Sequence, residues 1–393
     1  MFKISKQYIN CRCGLHLDED QTDDPTGVLD ESGNIRKGII SISKEGEINF
    51  TKCHDHKHIT REKYNEVIPL IVAEFIEAGF TQTQEFFQKK LNVKKEYSEL
   101  GKVEADSNQI TAQKTTKSNK IIRNYMLHIN EVENHKGIST TNQWTEEKLK
   151  KAFKSLDKPN RTVNSNMSEI LKALKFNPVT IYSPIMTKSL LKELGCKTVF
   201  DPCIGWGGRM IGTTCLGEEY HYTGCEPFTK TYQGLTSMVE DLEIGGQVKL
   251  YNEPVENVLD RLKENQYEMC LTSPPYYDLE VYSHEDTQSI KNYKTYEEWI
   301  LHFIKPIVDY VCSHVTKYSC WSVKNIRTDK QYNLLDDVIK IHAENGWKLE
   351  RQFSIKKSTK LKNDAEGDVT YVFSVGSGPT AAQPLTPALE AMT

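Results

Sequence analysis

Two separated segments of the sequence combine residue types and spacings that could do chemistry. In the first, 200–212, an apolar run ends at Asp201, and Gly205, Gly207 and Gly208 follow before a helix-like stretch. Glycines after a strand let the backbone approach a ligand closely and expose amide N–H groups at the start of the next helix. The spacing is not the full dinucleotide fingerprint and no P-loop lysine follows, so the segment indicates a ligand loop without identifying the ligand.

An acidic residue stands at the end of the next apolar run. Glu226 closes the run 220–226 and precedes Pro227. A carboxylate at that place can accept hydrogen bonds from ribose hydroxyls. A tight turn with a surface carboxylate would explain the same residues, and both interpretations remain open on these residues alone.

The second segment, 271–277, reads LTSPPYY and follows an apolar run of strand length. Pro274 and Pro275 cannot continue a ladder of hydrogen bonds, so they fix the backbone rigidly where the sheet opens. Ser273 and Tyr276 flank them. A stiff turn with an aromatic plug is the plain alternative, but it does not account for the glycine-rich loop two strands earlier.

Together, FDPCIGWGG and TSPPYY resemble the DNA amino-methyltransferases that depend on S-adenosyl-L-methionine (SAM) and modify cytosine N4 or adenine N6. The resemblance covers about half of the chain, 175–375, and the motif order is similar to the gamma arrangement of that family. The serine form of the second motif is more typical of cytosine-N4 enzymes. The resemblance implies that SAM is the cofactor and DNA the partner. It assigns the cofactor to Asp201, Pro202, Cys203, Gly205, Gly207, Gly208, Glu226 and Pro227, and catalysis to Ser273, Pro274, Pro275 and Tyr276.

These catalytic residue types suit methyl transfer to an exocyclic amine. The amine is a poor nucleophile because its lone pair is delocalised into the base. Hydrogen bonds from its protons to Ser273 Oγ and the Pro274 carbonyl would favour a tetrahedral nitrogen, and Tyr276 offers a face for a flipped base. Alignment by the two prolines is the main catalytic device expected, and the reaction requires no metal.

The sequence also contains weaker matches to the motifs of other methylation reactions. Cytosine-C5 methylation uses a Pro-Cys nucleophile and a later Glu-Asn-Val, and the chain contains Pro202-Cys203 and 256–258. We interpret both as coincidental, because Cys203 lies inside the glycine-rich loop and 255–260 predicts the start of a helix. Methylation of RNA or of a protein glutamine, and a nucleic-acid-binding protein with an inactive methyltransferase domain, remain alternatives.

The elements that must position these residues alternate along 198–375. Strand-like runs and helical stretches in alternation predict an α/β fold with a mostly parallel sheet, and ligands of such sheets bind at the carboxyl ends of the strands. With the resemblance, this becomes a Rossmann-like class I methyltransferase sheet with a closing antiparallel hairpin, plus a mostly helical N-terminal region. The predicted strands are 198–202, 220–226, 247–252, 267–273, 318–323, 347–355 and 369–375, and the predicted helices are 296–311 and 334–342.

Composition and length predict the partners, the localisation and the domain organisation of the chain. The 393 residues carry a net charge of −4, so any nucleic-acid surface must be local. Neither an apolar run of membrane-helix length nor a signal peptide is evident, which predicts a soluble cytoplasmic protein with no membrane partner and with its ten cysteines reduced. The expected organisation is a Cys/His-containing module at 1–60, a helical region with a linker at 61–165, the methyltransferase domain at 166–376 and a disordered tail at 377–393.

Target recognition is expected in the N-terminal half, because little chain follows the catalytic core. The stretch 75–91 could form a helix-turn-helix, although a plain helical hairpin is the favoured interpretation. Within 98–123, a polar segment poor in acids predicts a linker or basic loop. A second basic patch that could contact phosphates comprises Lys356, Lys357, Lys360 and Lys362.

Two cysteine and histidine clusters near the start suggest a structural zinc site. Its ligands would be Cys11, Cys13 and Cys53, with one of His54, His56 or His58. The spacing of both clusters departs from common zinc fingers, and a solvated, histidine-bearing face is the favoured alternative.

Overall fold

The computed structural model describes the backbone at 8–11, 14–17, 41–42 and 48–49, and the chain at 68–69, 72–73, 75–81, 91–104, 118–156, 179–354 and 369–375. These residues fall into two compact units. The first draws on Met1–Asn92, Arg123–Thr180 and Glu280–Tyr282, and the second on Val93–Ile122, Ile181–Leu279 and Ser283–Thr393. The described residues 93–104 and 118–122, which were expected in the helical N-terminal region, are therefore grouped with the sheet. The domain boundaries suggested by the sequence stay predictions.

The strands, in chain order, are β1 Tyr8–Cys11, β2 Gly14–Leu17, β3 Ser41–Ile42, β4 Ile48–Asn49, β5 Glu133–Asn134, β6 Thr198–Asp201, β7 His221–Cys225, β8 Val248–Tyr251, β9 Tyr267–Thr272, β10 Glu280–Val281, β11 Val315–Trp321, β12 Ile326–Arg327, β13 Gln331–Tyr332, β14 Trp347–Ser354 and β15 Val369–Val375. The helices are α1 Val93–Lys102, α2 Asn119–Tyr125, α3 Glu146–Leu156, α4 Pro184–Leu194, α5 Gly208–Thr214, α6 Thr229–Leu242, α7 Ser289–Asn292, α8 Tyr296–Trp299, α9 Lys305–His314 and α10 Leu334–Glu344. Short 3-10 turns lie at Leu127–Asn130, Gly245–Gln247, Val255–Asn257 and Leu259–Leu262.

The second unit is built on a seven-stranded sheet in the order β14-β15-β11-β9-β6-β7-β8. The five neighbouring strands β11, β9, β6, β7 and β8 pair in parallel, and β15 runs antiparallel to both β11 and β14. This confirms the predicted α/β fold, its mostly parallel Rossmann-like sheet and its closing antiparallel hairpin. Strand β9 is buried along almost its whole length, as expected for a central strand that is covered on both faces.

The long helix predicted at 296–311 has an irregular middle. It begins at a capping box in which Thr295 and Glu298 satisfy each other's backbone N–H groups. A wide π-type turn, Ile300–Ile304, then separates α8 from α9. Pro306, near the start of α9, cannot donate a backbone hydrogen bond to the preceding turn, which accounts for the irregularity. The helix predicted at 334–342 is α10.

The first unit contains helical residues and short strand pairs. Phe75 stacks on Phe153 of α3 with ring centroids 5.3 Å apart, and the Trp144 indole N–H donates to the Phe75 carbonyl at 3.0 Å. Strand β1 pairs with β2, β3 with β4, and β5 with β10. Residues 75–81 are helical. The possible second half of a helix-turn-helix, 82–90, lies outside the described residues, so that hypothesis stays a prediction.

Two local predictions are wrong in part. The segment 98–123 was expected to be a linker or basic loop, yet its ends belong to α1 and α2. The physical reason is that Leu100, Ile121 and Ile122 are buried and hold both ends on apolar neighbours. The stretch 255–260 forms 3-10 turns rather than the start of an ordinary helix.

Several predictions lie outside the described residues. Cys11 ends β1, but the other proposed zinc ligands (Cys13, Cys53, His54, His56 and His58) are not described, and the same holds for the basic patch at 356–362 and the tail at 377–393. Within the described part of the chain, the helices are all too short or too polar to cross a membrane.

Candidate active site

The two chemically suggestive segments meet at one edge of the sheet. Strand β6 lies between β7 and β9, and β11 pairs with the other side of β9. Because these four strands are parallel, their carboxyl ends share one edge. The glycine-rich loop leaves β6, Glu226 follows β7, and Ser273 follows β9. Residues far apart in sequence are therefore neighbours in the fold.

The reason why glycine is needed differs among the three glycines of the loop. Gly205 and Gly207 have positive φ angles of 58° and 82°, which side chains rarely tolerate. A Cβ on Gly205 would meet open space, whereas one on Gly208 would lie 2.0 Å from the Tyr182 carbonyl oxygen. Gly208 is thus needed for close packing at the start of α5, and Gly205 lies where a ligand could approach the backbone.

Asp201, the last residue of β6, holds this loop through hydrogen bonds. Its buried carboxylate accepts a hydrogen bond from Arg209 Nε at 2.6 Å and from the Cys203 backbone N–H at 3.2 Å, and it also accepts from the Tyr222 hydroxyl. Arg209 in turn donates to the carbonyls of Cys203 and Ile204. Asp201 and Arg209 therefore fix the shape of the loop, and Asp201 is 0% exposed. This gives Asp201 a supporting position rather than one facing a ligand.

Glu226 joins the loop to the end of β7. One carboxylate oxygen accepts from the Gly205 N–H and the other from the Phe228 N–H, both at 2.9 Å. Burial raises the pKa of Glu226 to about 8. Each oxygen accepts one backbone hydrogen bond and retains acceptor capacity. Pro227 lies beside it, and its carbonyl accepts from the Thr287 hydroxyl at 3.2 Å.

Ser273 and Tyr276 share a single acceptor on the neighbouring strand end. The Ser273 hydroxyl donates to the Ser322 carbonyl at 3.1 Å, and the Tyr276 hydroxyl donates to the same oxygen at 3.4 Å. The Ser322 N–H completes the link by donating to the Thr272 carbonyl at 2.9 Å. Since its proton is directed to Ser322, the Ser273 oxygen presents its lone pairs elsewhere, which suits an acceptor of hydrogen bonds.

Tyr277 anchors the far end of the motif. It has a positive φ of 43°, which is strained for an aromatic residue, and it is largely buried. Its ring contacts Tyr296 and Tyr332 edge-on at 5.7 and 5.3 Å, and its hydroxyl donates to the Lys294 carbonyl at 3.0 Å. The aromatic plug foreseen as the plain alternative is therefore Tyr277, whereas Tyr276 is half-buried beside the strand end.

Cys203 is poorly suited to act as a nucleophile. Burial, and next the nearby Asp201 carboxylate, raise the pKa of its thiol well above the usual range. The thiolate needed for attack on cytosine C6 is therefore disfavoured. Pro202 and Cys203 lie in the turn that Arg209 holds, as parts of the loop.

Three residues of the site were not predicted from the sequence: Arg209, Tyr222 and Ser322. Arg209 was readable as a cation in the first turn of the helix that follows an Asp-bearing strand end. Ser322 is the penultimate residue of the predicted strand 318–323, so the carboxyl end of that strand was a place to look. Tyr222 carries no local signal, because its contact with Asp201 depends on the pairing of β6 with β7.

Comparison with known proteins finds similar solved structures at low sequence identity. No family model matches the chain, and no curated protein matches it. Among solved structures, a precorrin-6y C5,15-methyltransferase from Geobacter metallireducens is 12% identical, with 51% of this chain and 93% of that chain covered and a TM-score of 0.34. A SAM-dependent methyltransferase from Agrobacterium tumefaciens is also 12% identical, covering 51% and 63%, with a TM-score of 0.35. TrmN from Thermus thermophilus is 11% identical, covering 49% and 48%, with a TM-score of 0.33. Similarity of this size identifies neither a reaction nor a substrate.

Proposed function

We propose that this chain transfers a methyl group from SAM to an exocyclic amino group of a DNA base, cytosine N4 first and adenine N6 second. The observation that carries the proposal is the orientation of Ser273. Its hydroxyl proton is committed to the Ser322 carbonyl, so its oxygen is available to accept. Within the described residues, nothing donates to that oxygen. Activation of an amine requires an oxygen that accepts a hydrogen bond from it, and the Ser273 hydroxyl directly after the end of β9 is oriented to do so.

The residues at the loop fit the cofactor. Gly205 has a positive φ and open space where a Cβ would stand, so its backbone could lie against a ligand. Glu226 has acceptor capacity for ribose hydroxyls, and Gly207, Gly208, Pro202, Cys203 and Pro227 shape the surrounding turns. When bound, SAM supplies an electrophilic methyl group on a sulfonium sulfur. The loop's task is to hold and orient it at the shared edge of β6 and β9.

The chain's own contribution to the chemistry is positional. Ser273 Oγ and the Pro274 carbonyl would each accept a hydrogen bond from one of the two amine protons, which favours a tetrahedral nitrogen and directs its lone pair at the methyl carbon. As the new N–C bond forms, the C–S bond of the sulfonium would break, S-adenosylhomocysteine would leave, and the methylated amine would release one proton to water. Pro274 and Pro275 keep those acceptors fixed, and Tyr277 holds the following backbone in place. Tyr276, half-buried and tied by its hydroxyl to Ser322, would stack against the base.

Product analysis tests the proposal directly. The protein is incubated with isotopically methyl-labelled SAM and, separately, with duplex DNA, single-stranded DNA, RNA and bulk protein, and the modified residue is identified by mass spectrometry. We expect N4-methylcytosine from DNA, or N6-methyladenine. Methylated RNA or methylglutamine as the main product would contradict the DNA assignment. A product of 5-methylcytosine, together with loss of transfer but not of SAM binding in Cys203→Ser, would contradict the amine assignment.

The raised pKa of Glu226 predicts a pH dependence of cofactor-site affinity. Ribose hydroxyls donate to an ionised carboxylate, so binding lowers the pKa of Glu226 and releases a proton. Affinity should rise with pH by up to about tenfold per unit below about pH 8 and level off above it. In the free protein, burial penalises only the ionised form of Glu226. The free energy of unfolding should therefore be highest below the ordinary Glu pKa, fall as pH rises, and level off above about pH 8.

The probe for this measurement is 5′-methylthioadenosine, which keeps the ribose but has no titrating amino-acid moiety. Its Kd is measured by calorimetry at pH 6.5, 7.5 and 8.5. Glu226→Gln should bind weakly at every pH, with no slope. A wild-type affinity that is flat over this range would show that Glu226 does not receive the ribose hydroxyls.

A further inference from the structure

The segment that follows Ser322 forms a small hairpin that is hydrogen-bonded to Asp278, directly after the catalytic motif. Strands β12 and β13 pair antiparallel, with Ile326 opposite Tyr332 and Arg327 opposite Gln331. We call residues 324–332 the motif hairpin. It leaves the sheet at the residue whose carbonyl holds Ser273 and Tyr276, so its position is tied to that of the candidate catalytic residues.

Asp278 fastens the motif hairpin to the end of the SPPYY segment. Its carboxylate accepts from the Tyr332 hydroxyl at 3.0 Å and from the Thr328 hydroxyl at 3.3 Å. Ile326 is buried, and Asn325 donates to Asp336 at 3.1 Å. These contacts hold both strands and the turn, so the hairpin is a fixed part of the site's rim.

The exposed side of the motif hairpin is basic. Lys324, Arg327 and Lys330 are exposed, and Asp329 is its exposed acid. Among the described residues, no carboxylate pairs with any of the three cations. The hairpin thus carries a net positive charge on a chain whose overall net charge is −4. Lys324 Nζ lies 5.6 Å from the centroid of the Tyr276 ring, which places one of these cations at the residue proposed to stack on the base.

We infer that the motif hairpin contacts the sugar-phosphate backbone of the strand that carries the target base. The inference rests on the proposed nucleic-acid substrate. A base extruded onto Tyr276 brings its own flanking phosphates close to the site, and those phosphates need local cations on a protein that repels them overall. The motif hairpin supplies that charge through Lys324, Arg327 and Lys330. Its hydrogen bonds to Asp278 hold it in a fixed position beside the catalytic motif.

The test compares two variants that lose the same charge. One is Lys324→Gln/Arg327→Gln/Lys330→Gln. The control is Lys192→Gln/Lys263→Gln/Lys348→Gln, three exposed lysines at the amino-terminal edge of the sheet. Lys192 precedes β6, Lys263 precedes β9, and Lys348 is the second residue of β14, which runs parallel to β11. The measurements are the Kd for duplex and single-stranded DNA between 50 and 400 mM NaCl, the KM for DNA, and SAM affinity.

For the hairpin variant, we expect the slope of log Kd against log salt to fall by about two to three for duplex DNA, since each lost phosphate contact removes about 0.9. Its KM for DNA should rise more than tenfold at 100 mM salt, with SAM affinity unchanged, and the control should match the wild type. Equal slopes for the two variants, with a wild type that methylates DNA, would overturn the hairpin's role and leave the proposed function standing. A wild type that neither binds nor methylates nucleic acid would overturn both.

Discussion

Replacing Ser273 by alanine is expected to lower kcat for amine methylation by about 100-fold or more, because one preorganised hydrogen bond made at the reacting group is lost. The hydroxyl is fixed by the Ser322 carbonyl at 3.1 Å, so its acceptor lone pairs are positioned before substrate arrives. SAM binding should be unchanged, since the cofactor loop leaves a different strand. Single-turnover transfer to DNA and calorimetric SAM binding measure the two effects.

Neighbouring hydroxyls provide matched controls. Ser322→Ala keeps the backbone carbonyl that Ser273 uses and should retain near wild-type kcat. Thr272→Val removes a buried hydroxyl that has no hydrogen-bond partner among the described residues, and it should also be active. Ser273→Asn restores an acceptor oxygen and should recover part of the activity lost in Ser273→Ala. If Ser273→Ala keeps more than half of the wild-type kcat, the serine is not the amine's acceptor.

Much of the sheet was predictable because its determinants are local. Apolar runs of strand length at β6, β7 and β9 have the burial that a central position in a parallel sheet imposes, and the run at β8 is recognisable although that edge strand is only partly buried. The closing strands were readable in the same way. The glycine-rich loop and the double proline were recognisable because Gly and Pro restrict the backbone wherever they stand.

The features that escaped prediction depend on pairing between distant segments. The Ser322 carbonyl reaches Ser273 only because β11 pairs with β9, with Trp321 opposite Thr272. The positive φ of Tyr277 is maintained by rings from 296 and 332, which no window around residue 277 contains. The charge of the motif hairpin was visible in the sequence, but its attachment through Asp278 was not.

The largest expected effect on stability comes from removing Arg209. Arg209→Met leaves the Asp201 carboxylate buried without its counter-charge, which should destabilise the sheet unit by about 3–5 kcal/mol. The loop also loses the bonds from Arg209 to the Cys203 and Ile204 carbonyls, so SAM binding should weaken together with stability. Urea unfolding followed by tryptophan fluorescence measures the change, because four of the five tryptophans (206, 299, 321 and 347) belong to that unit.

An exposed ion pair in the same unit is the natural control. Arg261 binds Glu253 at the same 2.6 Å as Arg209 binds Asp201, but both partners are about half exposed. Arg261→Met should therefore destabilise the unit far less than Arg209→Met does. The double variant Asp201→Asn/Arg209→Met removes both buried charges and should be clearly more stable than the sum of the two single changes implies. Equal losses for Arg209→Met and Arg261→Met would mean that the buried pair does not hold the loop, and the supporting position given to Asp201 would then be wrong.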